Sequence, residues 1–307
     1  MCDMIPLVSI AIPAYKATYL KEAIQSVLNQ TAQNIELIIV NDKSPENIDS
    51  VVNQFKDSRI RYFINEENIG GKDPVANWNK CLSYAQGTFF CLLCDDDIYA
   101  PSFIETMLDL AQKYPHCNVF KSRVQTIDKE GKVLTYFPSS PEWEPTCDYL
   151  WHVAYGHRKQ TVSEWMYRTK RMRECGGYAA VPMAWGADYL SAMLFGAEGG
   201  ICATIKPLVI FRRSGQNISN NFVHHVKEKL EGTQVYAQKL RKMIGDYGMD
   251  ESLYPLVEII RKRELVATMR ISRWHDLMGT CWHRQRYGIS LKMIGFVLLK
   301  RFMELPR

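Results

Sequence analysis

The first hundred residues alternate short apolar runs with segments of helical periodicity, and this alternation restricts the chain to few folds. Apolar runs at 7–12, 35–40, 59–64 and 88–93 have the length of buried strands. Between these runs, apolar residues recur every three to four positions, as they do in amphipathic helices. Strands and helices that alternate at this spacing form a mostly parallel sheet with right-handed crossovers. We therefore predict an α/β fold.

Three of these predicted strands end in residues that can line a ligand site. Pro13–Tyr15 end the first strand, Asp42 follows the second, and Asp95–Asp97 follow the fourth. In open α/β sheets, ligands bind in the crevice beyond the carboxyl ends of the strands. We expect these residues to line one such crevice.

The aspartate triplet stands in the stretch LLCDDDIYAP, directly after an apolar strand. Neighbouring carboxylates repel, and each disfavours the ionised form of the next. A divalent cation with oxygen ligands removes that penalty and can bridge to a diphosphate. The residues alone leave an alternative open, which is a solvated acidic loop that precedes a helix.

The pattern changes after about residue 115. We predict a hairpin around 129–131, a strand near 161–168, a helix from Ala187 to Gly196, and paired short strands up to Phe211.

The last part of the chain, from residue 223 on, has a helical pattern that we expect to break near 245–248 and at Gly279. It is also the basic part. Residues 261–307 hold eleven Lys and Arg against three acidic residues, while the whole chain has a net charge of +5. The apolar segment 288–303 is too short and too charged to span a bilayer, but it can lie on a membrane surface. A surface for homo-oligomer formation is the alternative.

The composition is that of a folded protein, with 47% hydrophobic and 23% charged residues. Nine cysteines are scattered through apolar stretches, and the first residues lack a basic segment followed by an apolar core. We expect a cytoplasmic location, with peripheral attachment to the inner face of the cytoplasmic membrane as an extension of it. We expect no nucleic-acid partner, because the basic tail lacks regularly interleaved aromatic residues.

Taken together, these motifs resemble family 2 of the glycosyltransferases over about residues 6–219. The resemblance depends on the order of several fragments, which are VSIAIPAYKATYLKEAIQSVLNQT, ELIIVNDKSPE, NEENIGG, NWNKCLSYAQGTFFCLLCDDDIYAP, CGGY, WGADYL and FRRSGQNIS. It implies the GT-A fold, a Rossmann-like, mostly parallel sheet flanked by helices. The implied regions are a nucleotide-sugar-binding half (1–115), an acceptor-binding half (116–219) and a helical, basic C-terminal extension (220–307).

The resemblance also implies an activity. It is the inverting transfer of a sugar from a nucleotide-diphosphate donor, of the UDP-sugar type, to a hydroxyl of a glycan or lipid-linked acceptor. Mn²⁺ or Mg²⁺ would assist, and the product would belong to bacterial surface polysaccharide.

The same resemblance assigns the donor site. The base pocket and the ribose contact fall on five residues, which are Pro13, Ala14, Tyr15, Asp42 and Asp95. From the residues alone, Asp42 is more typical of an Asx-turn. Asp96 would bind the metal, and Asp97 would be either a further oxygen contact or a helix N-cap. Cys94 stands where many relatives have an aspartate, which leaves the ligand register open by one residue.

Inverting transfer needs a base that takes the proton of the acceptor hydroxyl as its oxygen attacks the anomeric carbon. The resemblance places this base at Asp188, in an Ala-Asp pair where relatives commonly have Glu-Asp. The missing acidic neighbour would have raised the pKa of Asp188. From the residues alone, Asp188 is alternatively a helix cap.

Four further residues complete the expected site, and these are Arg212, Arg213, Trp185 and Asn77. Ser214 stands where the family often has a histidine that holds metal or diphosphate. Arg212 or Arg213 would bind the diphosphate instead, although exposed strand arginines are the alternative. We expect Trp185 in the acceptor cleft and Asn77 at the nucleotide crevice.

Two other classes of function remain open. The unusual residues Cys94, Ala187 and Ser214 are compatible with a catalytically silent protein that binds nucleotide or glycan as a scaffold. A sugar nucleotidyltransferase also uses an α/β sheet with metal-bound carboxylates. However, the segment IPAYKATYL lacks the glycine- and arginine-rich phosphate loop expected of that class.

Overall fold

The computed structural model describes residues 6–215 and 225–303. These residues form two compact units. The first unit runs to Ala180 and continues with Ala187–Ser214, and the second holds Val181–Gly186 with the residues from Gly215 on. The boundary predicted at 219 lies outside the described residues.

The first unit contains a single mixed sheet. Its order is β3-β2-β1-β4-β9-β6-β10-β5, with β7 beside β6 and β8 beside β10. The strands are β1 Val8–Ala14, β2 Ile35–Asn41, β3 Ile60–Ile64, β4 Phe89–Leu92, β5 Ile98–Tyr99, β6 Val119–Ile127, β7 Val133–Tyr136, β8 Trp143–Glu144, β9 Trp165–Arg168 and β10 Ile201–Arg212.

Helices alternate with the strands in the first unit and make up most of the described residues of the second. Those of the first unit are α1 Leu20–Leu28, α2 Ile48–Val52, α3 Pro74–Ser83, α4 Phe103–Lys113, α5 Thr146–Ala154, α6 Thr169–Glu174 and α7 Ala187–Gly196. Those of the second are α8 Val226–Asp246, α9 Tyr254–Ile271, α10 Trp274–Trp282 and α11 Leu291–Met303. The α/β prediction is confirmed for the first unit.

The strands β3, β2, β1 and β4 are parallel, and their register brings the polar residues together. Ala14 pairs with Asn41, so Tyr15 and Asp42 leave the sheet side by side. The backbone N–H of Asp42 still donates to the carbonyl of Ala14 at 2.9 Å. β1 and β2 are almost wholly buried, as expected for continuous apolar strands covered by helices on both faces.

The paired short strands predicted up to Phe211 are instead one long strand, β10. It runs parallel to β6 before and after a register shift between Ala203 and Val209. Pro207 lies within this shift. Because proline has no N–H to donate, it interrupts the ladder of hydrogen bonds without ending the strand.

In the second unit, the break predicted near 245–248 is confirmed, since α8 ends at Asp246 and Gly248 has a φ of 58°. The break predicted at Gly279 is wrong. Gly279 lies inside α10, and the chain turns instead at Ser272 and Arg273. None of the described helices is long and apolar enough to cross a membrane.

Candidate active site

Asp95 ties the loop after β4 to the loop after β1. Its Oδ2 accepts hydrogen bonds from the backbone N–H groups of Tyr15 and Lys16, both at 2.8 Å. Burial raises the pKa of Asp95 to about 6, and these two backbone donors work against the rise. Beside it, Ala14 is fully buried, whereas Tyr15 is exposed at the edge of the sheet.

Asp42 has a buried carboxylate around which the next loop folds. Its Oδ1 accepts from Asn65 Nδ2 at 2.7 Å and from the backbone of Ile69 at 2.9 Å. Its Oδ2 accepts from the backbone of Gly70 at 2.7 Å. A Cβ on Gly70 would come within 2.8 Å of that oxygen, so only glycine fits this close approach.

Two asparagines occupy positions around Asp42. Asn41, and not Asp42, makes the Asx-type contact, by accepting from the backbone of Ser44 at 2.9 Å. Asn77 is buried, and its side-chain oxygen accepts from Asn65 at 3.1 Å. Asn77 therefore helps to hold the side chain of Asn65 against Asp42.

Asp96 and Asp97 have different surroundings. Asp96 Oδ2 accepts from the hydroxyl of Ser214 at 2.8 Å. Asp97 is fully buried, and its two oxygens accept from Ser163 Oγ at 2.6 Å and from the backbone of Arg212 at 3.1 Å. Burial, added to by the charge of Asp96, holds the pKa of Asp97 well above its usual range. Asp97 is not a helix N-cap, because Ser102 precedes α4.

The Arg212 side chain lies against the acidic loop, which is the segment Asp95–Asp97. Its guanidinium pairs with Glu22 at 2.6 Å and donates to the carbonyl of Asp96 at 3.3 Å. It also stacks 4.2 Å from the centre of the Tyr19 ring. Arg213 is the exposed arginine, and its backbone continues the sheet by donating to Ile127.

The donor atoms here fit a loosely held divalent cation. Among the described residues, no group of three His, Cys, Asp or Glu side chains is placed to hold a metal. Mg²⁺ is usually held by one or two carboxylates together with substrate phosphates, so a preformed cage is unnecessary. Asp96 and the neighbouring Ser214 hydroxyl supply oxygen atoms of the required kind.

Asp188 lies in the first turn of α7, where the helix dipole favours a negative charge. Because α7 begins at Ala187, Asp188 is inside the helix and is not its N-cap. Burial raises the pKa of Asp188 to about 6, and the approaching Gln160 side chain opposes the rise.

A buried ion pair stands near Asp188. Lys121 and Glu164 are 2.9 Å apart, and both side chains are almost completely buried. Burial raises the pKa of Glu164 to about 7, although Lys121 opposes this, and the charge of Asp188 adds to the rise. Since Ser163 donates to Asp97, the consecutive residues Ser163 and Glu164 connect the acidic loop with the surroundings of Asp188.

Two buried hydroxyls close to Asp188 lack a hydrogen-bond partner among the described residues. They belong to Tyr167 and Tyr178. The charge of Asp188 raises the pKa of both tyrosines, in addition to the larger effect of burial. An unsatisfied buried donor costs about 1–3 kcal/mol, so this region favours a polar ligand or water.

An exposed group of rings, the Trp151 patch, comprises Trp151, Tyr155 and His157. The Trp151 ring lies 4.6 Å from the Tyr155 ring and 5.7 Å from the His157 ring. The next residue, Arg158, makes a buried ion pair with Glu144 at 2.8 Å, which fixes this loop to β8. His157, the last residue of the patch, is therefore three residues from Gln160 along an anchored chain.

Trp185 belongs to the second unit. It lies in the short segment 181–186, where Met183 and Ala184 have positive φ angles of 56° and 54°. The ammonium group of Lys229, on α8, lies 4.9 Å from the centre of its ring. Its expected role in acceptor binding stays a prediction.

Comparison with known proteins identifies the family. Residues 9–165, just over half of the chain, match the model of glycosyl transferase family 2. The chain belongs to this family. The resemblance seen in the sequence is thereby confirmed.

Relatives of this family 2 member are known in several organisms. It is 40% identical over 134 residues to an uncharacterized glycosyltransferase of Rickettsia conorii, which covers 42% of this chain and 21% of that protein. It is 35% identical over 138 residues to one of Methanocaldococcus jannaschii, covering 43% and 46%. The matched region thus spans between a fifth and half of these proteins.

Solved structures establish the fold. The chain is similar to S. aureus TarS 1–349 in complex with UDP-GlcNAc, with a TM-score of 0.60 and 15% identity. This similarity covers 86% of the chain and 81% of TarS. The complex of the same protein with UDP gives a TM-score of 0.56 at 16% identity. The predicted GT-A fold is therefore confirmed.

For several residues that build this family 2 site, the sequence gives no signal of their role. Ser163 and Gln160 stand outside any motif, and Glu22 lies in the first fragment without an assigned role; each meets its partner only after the chain has folded. Trp151 is one of several tryptophans in the second half of the chain, and the sequence does not show which rings it meets in the patch.

Proposed function

We propose that this chain is an inverting glycosyltransferase that moves a sugar from a UDP-sugar to a hydroxyl of a glycan or lipid-linked saccharide. The observation that carries the proposal is the connection through Ser163 and Glu164, which links the acidic loop with the surroundings of Asp188. The similarity of fold to a protein solved with UDP-GlcNAc and UDP supports a uridine nucleotide as donor.

In this proposal, the nucleotide lies across the ends of β1 and β2. Pro13, Ala14 and Tyr15 form one wall of the base pocket. A carboxylate offers about four acceptor positions, and Asp42 uses three within the protein, so the pyrimidine N–H takes the fourth. Asp95 presents its second oxygen to the ribose.

The diphosphate lies at the acidic loop. Asp96 is the carboxylate that would hold Mn²⁺ or Mg²⁺, with the Ser214 hydroxyl beside it. When bound, the cation would offset the negative charge of the diphosphate. Asp97 and Arg212 hold the acidic loop in place through their buried contacts. The side chain of Arg213 is exposed and is available to bind the phosphates.

Asp188 takes the proton in the transfer step. The oxygen of the acceptor hydroxyl forms a bond to the anomeric carbon while the bond from that carbon to the diphosphate breaks. The nucleoside diphosphate leaves with the electron pair, and the hydroxyl proton passes to the Asp188 carboxylate. A pKa of about 6 leaves Asp188 mostly ionised at neutral pH and still basic enough to accept a proton.

The acceptor side offers features that suit a saccharide. The unpartnered hydroxyls of Tyr167 and Tyr178 favour polar groups near Asp188, such as water or the hydroxyls of a sugar. The exposed rings of the Trp151 patch offer flat apolar faces that can cover the C–H face of a sugar ring. We place this reaction in the cytoplasm, in the synthesis of bacterial surface polysaccharide.

The test measures two quantities, donor binding and UDP release. Purified chain is mixed with UDP-GlcNAc and other UDP-hexoses, with and without Mn²⁺, and with a panel of mono- and disaccharide acceptors. We expect Asp188→Asn to lower UDP release about 10²- to 10⁴-fold while donor Kd stays within twofold. Asp96→Asn should weaken Mn²⁺-dependent donor binding.

Asp109→Asn is the matched control, since it removes an exposed carboxylate on α4. Donor binding without UDP release by the unmodified chain would favour the scaffold. Release of diphosphate from sugar phosphate and UTP would favour a nucleotidyltransferase.

A further inference from the structure

The outer face of α10 carries apolar side chains in solvent. Trp274, Met278 and Trp282 are spaced four residues apart, so they lie on one face of the helix. Their exposed fractions are 52%, 63% and 86%. Leu277, on a different face of the helix, is fully buried in the core of the second unit. The helix is therefore held by one face and leaves a strongly apolar face open.

The neighbouring helix α11 has the same division. Val297 is fully buried, whereas Leu291, Leu299 and Met303 are each at least 60% exposed. Of the eighteen large hydrophobic side chains that are exposed in the described residues, nine lie between 271 and 303. One short segment thus holds half of this surface, which exceeds what scattered surface residues account for.

The segment that carries these exposed apolar side chains is also positively charged. Residues 270–303 contain seven Arg and Lys and a single acidic residue, Asp276. The Arg301 guanidinium lies 4.5 Å from the centre of the Trp274 ring and also donates to the carbonyl of Ser272. This contact joins the end of α11 to the start of α10, so the two helices share one basic, aromatic surface.

We propose that this surface, the α10–α11 surface, binds the headgroup region of an anionic lipid bilayer. Tryptophan is enriched at that depth, because its ring is apolar and its N–H is polar. Each Lys or Arg near an anionic leaflet strengthens binding roughly fivefold. A second copy of the chain fits less well, since it would bring a like charge against this one.

This surface is larger than the segment 288–303 that the sequence indicated. The apolar run in α11 was visible as a continuous stretch, but the residues of α10 are separated by polar ones and become a surface only in the helix. Lipid binding needs no nucleotide and no transfer, so it can fail or succeed independently of the proposed function.

The test is co-sedimentation of the full chain with vesicles of phosphatidylcholine alone, or of phosphatidylcholine with phosphatidylglycerol. We expect binding only to the anionic vesicles, weakened by raising salt from 0.1 to about 0.5 M. The double variant Met278→Ala/Trp282→Ala should bind at least fivefold more weakly. Arg273→Glu/Lys292→Glu should bind at least tenfold more weakly, because it reverses two exposed charges.

Ile205→Ala is the matched control, since Ile205 is 68% exposed on β10 in the first unit, and its binding should be unchanged. Tryptophan fluorescence should shift to shorter wavelength with anionic vesicles, and this shift should be smaller in the Met278→Ala/Trp282→Ala variant. Equal binding to both kinds of vesicle, or none to either, would overturn the proposal. Sedimentation velocity that finds a dimer abolished by Met278→Ala/Trp282→Ala would assign the surface to a second copy instead.

Discussion

On the proposed donor side of the first unit, Asp42 and Asp95 accept hydrogen bonds from backbone groups of the loops around them. On the proposed acceptor side, the hydroxyls of Tyr167 and Tyr178 are buried without a partner among the described residues. The proposed sugar-donor pocket is thus organised by the protein itself, whereas the proposed acceptor side leaves hydrogen-bond donors without a partner. A preorganised pocket loses less entropy on binding, and unpaired donors give selectivity for a polar ligand.

The largest effect that tests this comparison is the pH dependence of transfer. Both sides hold a carboxyl with a pKa raised to about 6, Asp95 and Asp188. Between pH 7.5 and pH 5, protonation of Asp188 alone should lower the rate about tenfold, and protonation of Asp95 should lower it further. Initial rates of UDP release over this range, with donor Kd measured in parallel, separate the two sides.

Protonation of these two carboxyls does not itself favour unfolding, because its effect on stability has the opposite sign. A carboxyl whose pKa is higher in the folded state than in the unfolded state binds a proton on folding. The contribution of Asp95 and Asp188 to the free energy of unfolding therefore rises as the pH falls through 6. A flat pH–rate profile from 7.5 to 5 would contradict Asp188 as the base.

A smaller effect is expected from Gly70→Ala, which disturbs only the donor side. The added Cβ would lie 2.8 Å from Asp42 Oδ2, so the loop or the carboxylate must move. We expect donor Kd, measured by calorimetry with UDP, to rise about tenfold, equivalent to about 1.4 kcal/mol.

Gly295→Ala is the control for this change, because a Cβ there meets nothing within 4 Å. An unchanged Kd in Gly70→Ala would mean that the donor pocket is less rigid than its hydrogen bonds indicate.

The smallest effect is expected from Trp151→Ala on the acceptor side. Loss of one ring face should raise the KM for a saccharide acceptor by a few-fold to about tenfold, while UDP release without acceptor stays the same. Tyr136→Ala removes an aromatic ring of similar exposure on β7 and serves as the control. If both variants behave alike, the Trp151 patch is not an acceptor surface.

Much of the donor side could be predicted from the sequence. The strands that carry Tyr15, Asp42 and Asp95 are continuous apolar runs, and parallel pairing brings their ends to one edge of the sheet. What could not be predicted is which oxygen of each aspartate is used within the protein. Asp96 and Asp97 are neighbours in sequence, yet one lies beside Ser214 and the other is enclosed by Ser163 and β10.

The C-terminal breaks teach the same lesson. Glycine ends α8 as expected, but Gly279 is inside α10, where propensity is overridden by the packing of Leu277 and Tyr287 in the core of the second unit.

By itself, the sequence determined the alternation of strands and helices, the polar residues at the strand ends and the membership of family 2. These are local properties, since burial on a strand or helix follows from spacing along the chain. Only the tertiary structure decided that Arg212 supports the acidic loop through Glu22, which is 190 residues away. It also decided that burial raises the pKa of Asp188. Both depend on which distant segments exclude water together, and residue spacing carries no information about that.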